Sequence, residues 1–358
     1  MRFIFKTDYD QDIKLFKHAG AKFWYAVLLA VAIAAPAVLG KYYISQLSFI
    51  CIYSIAGVGL MLLSGYAGQI SIGHAAFLAV GGYTEAIAVK MGLPFPLSLI
   101  LSFIVAGLIG IIIGLPAIRI KGIYLAIATL AFNFILEEVL VRWSSVTGGN
   151  NGLMLDHAKL FGVAFKSTDS FYYLSLAILV IVIVGVLNLL RSFTGRSFVA
   201  IRDSQISAQS MGVDLAKYKT MAFGLSAGIT GIAGSLYAYK IRFISPEQFG
   251  VMVSIELLMM IVIGGIGSLH GAVFGAIFFI SLPELISLVK NYLPEAIANQ
   301  AGLQPTIFGF ILICVVIFQP EGIYGWWIKI RSYFEMFPFY RKATFKRTKT
   351  FMKSDRLS

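Results

Sequence analysis

The segment Gly65-Tyr66-Ala67-Gly68-Gln69-Ile70-Ser71-Ile72-Gly73-His74-Ala75-Ala76-Phe77 joins two apolar runs, each long enough to cross a bilayer. It is small, glycine-rich and weakly polar. Glycine-broken backbone at membrane depth is tolerated only where protein buries it or where it lines a water-filled path. The chain must therefore fold as a bundle that shields this segment, and a bundle of that kind is suited to moving a solute.

The runs on either side are two of many. Of 358 residues, 58% are hydrophobic and 13% charged, and the mean hydropathy is +0.84. A hydrocarbon core is spanned by about 20 apolar residues. These values exclude an ordinary soluble globule and imply an all-α, polytopic transmembrane helical bundle. The runs are continuous rather than alternating, which argues against a β-barrel. Residues 1–22 mix Lys6, Lys14, Lys17 and Lys22 with Asp8, Asp10 and Asp12. They lack the short apolar core of a signal peptide and read as a retained cytoplasmic tail. Cys51 and Cys314 lie inside apolar runs and read as small buried hydrophobes, not as a disulfide or a metal site.

The net charge is +12, and Lys and Arg concentrate at residues 1–22, 191–219 and 328–358, which hold 5, 5 and 9 of the 29. The positive-inside rule accounts for this without nucleic acid. The tail residues Arg341, Lys342, Lys346, Arg347 and Lys349 also suit contact with anionic membrane lipid. The expected organisation is a cytoplasmic tail over 1–22, a transmembrane domain over 23–327 and a basic cytoplasmic tail over 328–358. The candidate spans are 23–39, 44–63, 70–88, 97–117, 122–141, 172–190, 220–239, a long region 253–288, and 303–318. If 253–288 crossed once, the basic C-terminal tail would lie outside. Gly264-Gly265-Ile266-Gly267-Ser268 resolves this by breaking the region into two crossings or a re-entrant pair. The sequence thus predicts discontinuous helices, about ten spans, and both termini on the cytoplasmic side of a multi-pass membrane protein.

The two glycine-broken stretches echo each other. Ser71, Ala75, Phe77 and Ala79 match Ser268, Ala272, Phe274 and Ala276 in register, and a glycine stands three positions before each serine (Gly68, Gly265). Paired, interrupted segments in the two halves of a chain point to a transporter path. Interrupted helices also expose end groups with partial charge, and an N-terminal end favours a carboxylate. The candidate path residues are Gln69, Ser71, His74, Thr129, Asn133, Gly265, Gly267 and Ser268. Two other readings stand beside this one: glycine and serine also permit close helix packing, and Thr129 also suits a bond to its own backbone. His74 and His270 have no second ligand at metal spacing and read as hydrogen-bonded packing histidines rather than relays.

Intramembrane ionisable residues default to function, but these have simpler explanations. Glu85 lies late in its span and is expected to reach the interface, as is Glu256. Glu138 and Arg142 form an i,i+4 pair. The segment Thr147-Gly148-Gly149-Asn150-Asn151-Gly152 is turn-rich and expected outside. Residues 196–211 have helical composition, with Gly212 as a C-terminal stop. This cytoplasmic helix within the 191–219 loop reads either as a contact for a soluble partner or as a membrane-surface linker. No G-x-x-x-x-G-K-[ST] pattern occurs. If transport is ATP-driven, another subunit supplies the ATPase. No nucleophile–base pair stands out, so the chain does not read as an enzyme.

Four stretches in order resemble the permease subunits of bacterial branched-chain amino-acid ABC importers, the LivM type. They are residues 65–77; Thr147-Gly148-Gly149-Asn150-Asn151-Gly152-Leu153; Gly195-Arg196 through Ala200-Ile201-Arg202-Asp203, Ala208 and Gly212; and Ser245-Pro246-Glu247 followed by residues 264–268. The resemblance runs from about residue 45 to 320. It implies the ABC importer permease fold, a second homologous permease subunit, two ATPase subunits that carry ATP and Mg, and a periplasmic substrate-binding protein that holds most of the selectivity. It also implies that Arg196, Ala200, Arg202, Ala208 and Gly212 belong to the region that couples to the ATPase. Position 205 is Gln where an acidic residue is common, and 207 is Ser where Ala is common, so an ion pair from 205 to the ATPase is not expected. On this reading Arg202→Glu uncouples transport from ATP. Urea-type importer permeases share the motifs, and a stand-alone ion-coupled carrier or channel is the remaining alternative.

Overall fold

The computed structural model describes residues 19–118, 120, 122–160, 163–290, 303–318 and 322–336. The chain is helical almost throughout, because backbone in hydrocarbon has no water to bond and must satisfy itself. In order, the longer helices are α1 (Ala19–Val38), α2 (Lys41–Met61), α3 (His74–Lys90), α4 (Phe95–Ala117), α5 (Ile123–Arg142) and α6 (Thr168–Arg191). Then come the short α7 (Phe193–Asp203) and α8 (Gln205–Ser210), followed by α9 (Leu215–Ile241), α10 (Val251–Gly264), α11 (Leu269–Lys290), α12 (Leu303–Phe318) and α13 (Gly322–Met336). Among the described residues, seven helical stretches are long and apolar enough to cross a membrane. The predicted break of 253–288 is present: α10 and α11 are separate helices joined at Gly265 to Ser268. The predicted crossing 70–88 begins later, at His74, because residues 67–73 are not helical.

Local chemistry sets several ends. Ser167 caps α6 by accepting from the Ser170 N–H, with Asp169 in the first turn. Asp214 caps α9 by accepting from the Lys217 N–H at 3.1 Å. Pro94 precedes α4, and Pro96 occupies its first turn, where a missing N–H costs nothing.

Two helices form the centre. In both α2, with its terminal π-turn, and α9, 78% of the most apolar window is buried, against 28% in α5 and α6. The outer helices turn large apolar faces outward, as with Ile100, Ile104, Leu108 and Ile112 on α4. Close approach around α9 depends on glycine. A Cβ on Gly234 would overlap the Leu78 carbonyl oxygen, and one on Gly81 would overlap that of Gly231. These contacts bring α3 and α9 together backbone to backbone.

Neighbouring contacts order the two ends. Gly68 and Gly267 lie against Arg202 of α7, which also bonds the Gly65 carbonyl, and the Tyr25 hydroxyl is 2.6 Å from His270 Nε2, near the start of α11. These mark the end that carries the 191–219 loop. At the far end, Leu153–Met154 pairs antiparallel with Phe243–Ile244, Leu153 opposite Ile244. The turn-rich segment before it uses positive φ at Gly148, Gly149 and Gly152, and the Thr147 hydroxyl bonds the Leu140 carbonyl at 2.6 Å.

Three sequence expectations need correction or lie outside the described residues. Glu85 does not reach an interface: it is fully buried. Its carboxyl meets the hydroxyls of Ser98, Ser102 (3.2 Å), Ser235 (2.7 Å) and Tyr239 (2.9 Å). The reason is that α3 packs between α4 and α9, so its late turns face protein rather than headgroups. Residues 196–211 are not one helix: Ser204, in extended conformation, ends α7 and caps α8 through the Ser207 N–H. The tails expected over 1–22 and 328–358 fall largely outside the described residues.

Candidate functional site

The last turn of the α2 region is a π-turn, Leu62–Tyr66. The Ala67 N–H bonds the Leu62 carbonyl and the Gln69 N–H bonds that of Leu63, both at 3.1 Å. Such wide turns recur at functional sites. Backbone then runs without helix to His74, with Gly68 at φ +67. The second break has Gly265 and Gly267 at φ +113 and +92. The two breaks touch. A Cβ on Gly65 would come within 2.9 Å of the Gly267 nitrogen, and the Gly267 N–H donates to Met61 Sδ at 3.2 Å.

Residues 69–75 are held by several separate polar contacts, and these involve five of the candidate path residues. Ser71 and Ser226 flank the His74 ring, 2.9 Å from Nδ1 and 2.8 Å from Nε2. The Ile72 N–H donates to Thr129 Oγ1 at 3.0 Å. The Ala75 N–H donates to Ser254 Oγ at 2.9 Å, and that hydroxyl lies 3.4 Å from Asn133 Oδ1. Asn133 also reaches the Phe249 carbonyl, at 3.5 Å. The Ser64 hydroxyl donates to the Gln69 carbonyl at 3.1 Å. Gln69, Ser71, His74, Thr129, Asn133 and Ser268 are all buried. Gln69 alone among these six has side-chain polar atoms that are buried without a partner, and both atoms of its amide are in that state. His74 and His270 are hydrogen-bonded packing histidines as expected, His270 also stacking on Tyr324 with ring centroids 5.6 Å apart.

The coupling candidates divide into two faces. Arg196 is exposed and bonds the Arg191 carbonyl at 2.9 Å. Gly212 is exposed at φ +84, ending the segment as its sequence suggests. Ala200 is half-buried, and Ala208 is only 3% exposed and faces the bundle. Arg202 also turns inward, its Nη1 donating to the Gly65 carbonyl oxygen at 3.0 Å. Gln205 accepts from Lys219 Nζ within the chain at 3.2 Å, and that lysine is buried.

Sequence reasoning missed Ser226, Ser254 and Lys219, since single hydroxyls in apolar helices and a basic residue in a basic loop carry no distinguishing signal. It also missed a cavity of about 350 Å³ lined by Gln46, Tyr53, Tyr237, Glu256 and Glu284. There Glu256 faces protein groups from α2, α9 and α11, not only an interface.

A family model described as the branched-chain amino acid transport system permease component matches residues 42–317. The high-affinity branched-chain amino acid transport system permease protein LivM of Escherichia coli K12 is 30% identical over 327 residues, covering 84% of this chain and 74% of that protein. A probable branched-chain amino acid transport permease of Methanocaldococcus jannaschii is 24% identical, over 63% of this chain and 68% of that one. The autoinducer 2 import system permease LsrC of Salmonella typhimurium is 27% identical, over 79% and 81%. No solved structure matches the chain. The matched span runs from the first turn of α2 to the end of α12 and so takes in both glycine breaks and the surface segment between them. This chain belongs to the family of branched-chain amino acid transport system permease components.

Proposed function

We propose that this chain is the transmembrane permease subunit of an ATP-driven importer for branched-chain amino acids. The observation that carries the reading is the meeting of both broken junctions with α7 at one end of the bundle. A device that converts an external push into opening of a path needs the pushed element and the path-forming elements in contact. The end bearing α7 and α8 is the cytoplasmic one on charge grounds, since residues 191–219 hold 5 of the 29 Lys and Arg. That puts both termini in the cytoplasm and the paired strands outside. Two ATPase subunits, which carry ATP and Mg, engage the exposed side of α7 and α8, where Arg196 and Gly212 lie. A second permease subunit completes the membrane core, and a periplasmic binding protein delivers the solute.

The path forms at the two breaks, along Gln69, Ser71, His74, Thr129, Asn133, Gly265, Gly267 and Ser268. In the present conformation the two junctions are closed against each other at Gly65 and Gly267, so transport requires them to part. Gln69, buried with an unpaired amide, supports this: a polar group held in that state is costly and has a use if a solute meets it during passage. The energy for parting comes from differential contacts at the cytoplasmic surface.

The test is uptake of labelled leucine, with urea alongside, in cells with and without this chain, repeated after ATP depletion with the membrane potential clamped. Leucine uptake that disappears on deletion and on ATP depletion is expected. Loss of urea uptake instead would change the solute but keep the machine. Leucine uptake that survives ATP depletion would overturn the ATP-driven reading in favour of an ion-coupled carrier.

A further inference from the structure

We propose that Arg202 is a positioning residue that ties the surface segment to both broken junctions, so that movement of α7 reaches the junctions through its guanidinium. The proposal deepens the importer reading and rests on it.

Arg202 lies in the last turn of α7. A cation there is ordinarily explained by the helix macrodipole, with its head in water. This side chain is 37% exposed, and its head turns back to the Gly65 carbonyl. Its Nη1 donates to the Gly65 carbonyl oxygen at 3.0 Å. That carbonyl stands in the terminal turn of the α2 region, where the last four carbonyls have no intrahelical donor. Among the described residues, Arg202 is the donor it has. Asp203 Oδ1 holds the other edge of the fork, 3.0 Å from both Nε and Nη2. The planar guanidinium is therefore oriented on one side and engaged on the other, which a lysine cannot reproduce.

The stem of Arg202 is held as well. At Gly68, with φ +67, a Cβ would sit 3.0 Å from Arg202 Cγ and 3.1 Å from its Cα. Only a glycine allows both the backbone angle and this contact. On the second junction, a Cβ on Gly267 would lie 3.6 Å from Nη1. Three glycines from two distant parts of the chain thus surround one side chain of the surface segment. Had Arg202 been an outward contact for an ATPase, its head would have to leave the Gly65 carbonyl.

The experiment uses the complete complex, with its ATPase subunits, second permease and binding protein, in lipid nanodiscs and proteoliposomes. Arg202→Ala, Arg202→Met and Arg202→Lys are compared for retention of the ATPase subunits, ATP hydrolysis and leucine uptake per ATP. Spin labels at the exposed Met211 and Ile266, with Cys51 and Cys314 replaced by alanine, report whether the second junction follows the surface segment when nucleotide binds. The expected result for the alanine and methionine variants is retained ATPase subunits and hydrolysis, uptake per ATP reduced about tenfold, and an Ile266 label that no longer follows Met211. Lysine keeps one donor and recovers part of the coupling. Arg202→Met preserves the packed stem and carries the test if Arg202→Ala does not assemble. Loss of the ATPase subunits from the variants would make Arg202 a docking residue and overturn the proposal. Unchanged uptake per ATP, or labels that still move together, would overturn it as well. If the unaltered complex shows nucleotide-driven label motion but no leucine uptake, the importer reading fails on its substrate while the linkage is still decided by the labels.

Discussion

His74 Nε2 lies 2.8 Å from the hydroxyl of Ser226, a residue 152 positions further along the chain. Ser226 spends its single proton on the Gly59 carbonyl at 2.6 Å, so it accepts from the ring. Nε2 therefore carries a proton, and Nδ1 accepts from Ser71 at 2.9 Å. One neutral imidazole joins the start of α3 to α9 and, through Ser226, to α2.

Replacing His74 by alanine leaves the Ser71 hydroxyl proton without its acceptor, while Ser226 keeps its bond to the Gly59 carbonyl. Each buried group left unpaired costs about 1–3 kcal/mol, so the thermal midpoint of the purified protein is expected to fall clearly. Nitrogen NMR of the labelled ring in the unaltered protein is expected to show the neutral Nε2–H tautomer throughout the physiological pH range. An imidazolium signal there would contradict the assignment.

Glu85 gathers hydroxyls from α4 and α9, with Ser235 at 2.7 Å and Tyr239 at 2.9 Å. Glu85→Ala strands the Ser235 and Tyr239 hydroxyls together, while Ser98 and Ser102 keep the Phe95 and Gly81 carbonyls as acceptors, and it is expected to lower stability more than either Ser235→Ala or Tyr239→Phe, each of which costs about 1 kcal/mol. Thermal unfolding of the three variants in one detergent decides the order. Equal midpoints would show that the cluster does not hold the helices.

Gln69 separates stability from transport. Its amide is buried without partners, so Gln69→Leu removes a penalty of about 1–3 kcal/mol at similar volume. The variant is expected to unfold at the same or a higher temperature than the unaltered protein and to lose most leucine uptake. A variant that transports normally would remove Gln69 from the path.

Backbone contact between α3 and α9 leaves no room for a methyl group. Gly81→Ala and Gly234→Ala are expected to abolish a monodisperse product, because each new Cβ meets a backbone carbonyl that cannot move aside. Gly185→Ala, where nothing lies within 4 Å of the added atom, serves as the contrast and is expected to be neutral or to stabilise by up to about 1 kcal/mol. Size-exclusion profiles after membrane extraction read both outcomes.

The sequence by itself determined the class of this protein, its helices and its breaks. Apolar runs of bilayer length leave few options other than helices, since every backbone polar group must be satisfied locally. The break between Gly264 and Leu269 followed from charge parity, and α10 and α11 confirm it. The i,i+4 pair of Glu138 and Arg142 was legible for the same local reason. Only the tertiary structure decided what meets across the bundle. Glu85 reads as interfacial until Ser98, Ser102, Ser235 and Tyr239 arrive from other helices. Arg202 reads only as one member of the coupling region until its head is found on Gly65. Residues 196–211 read as one helix because composition is uniform there, whereas Ser204 breaks it by capping α8. In each case the deciding partner lies on another element or depends on a backbone angle, and helical periodicity carries no information about either.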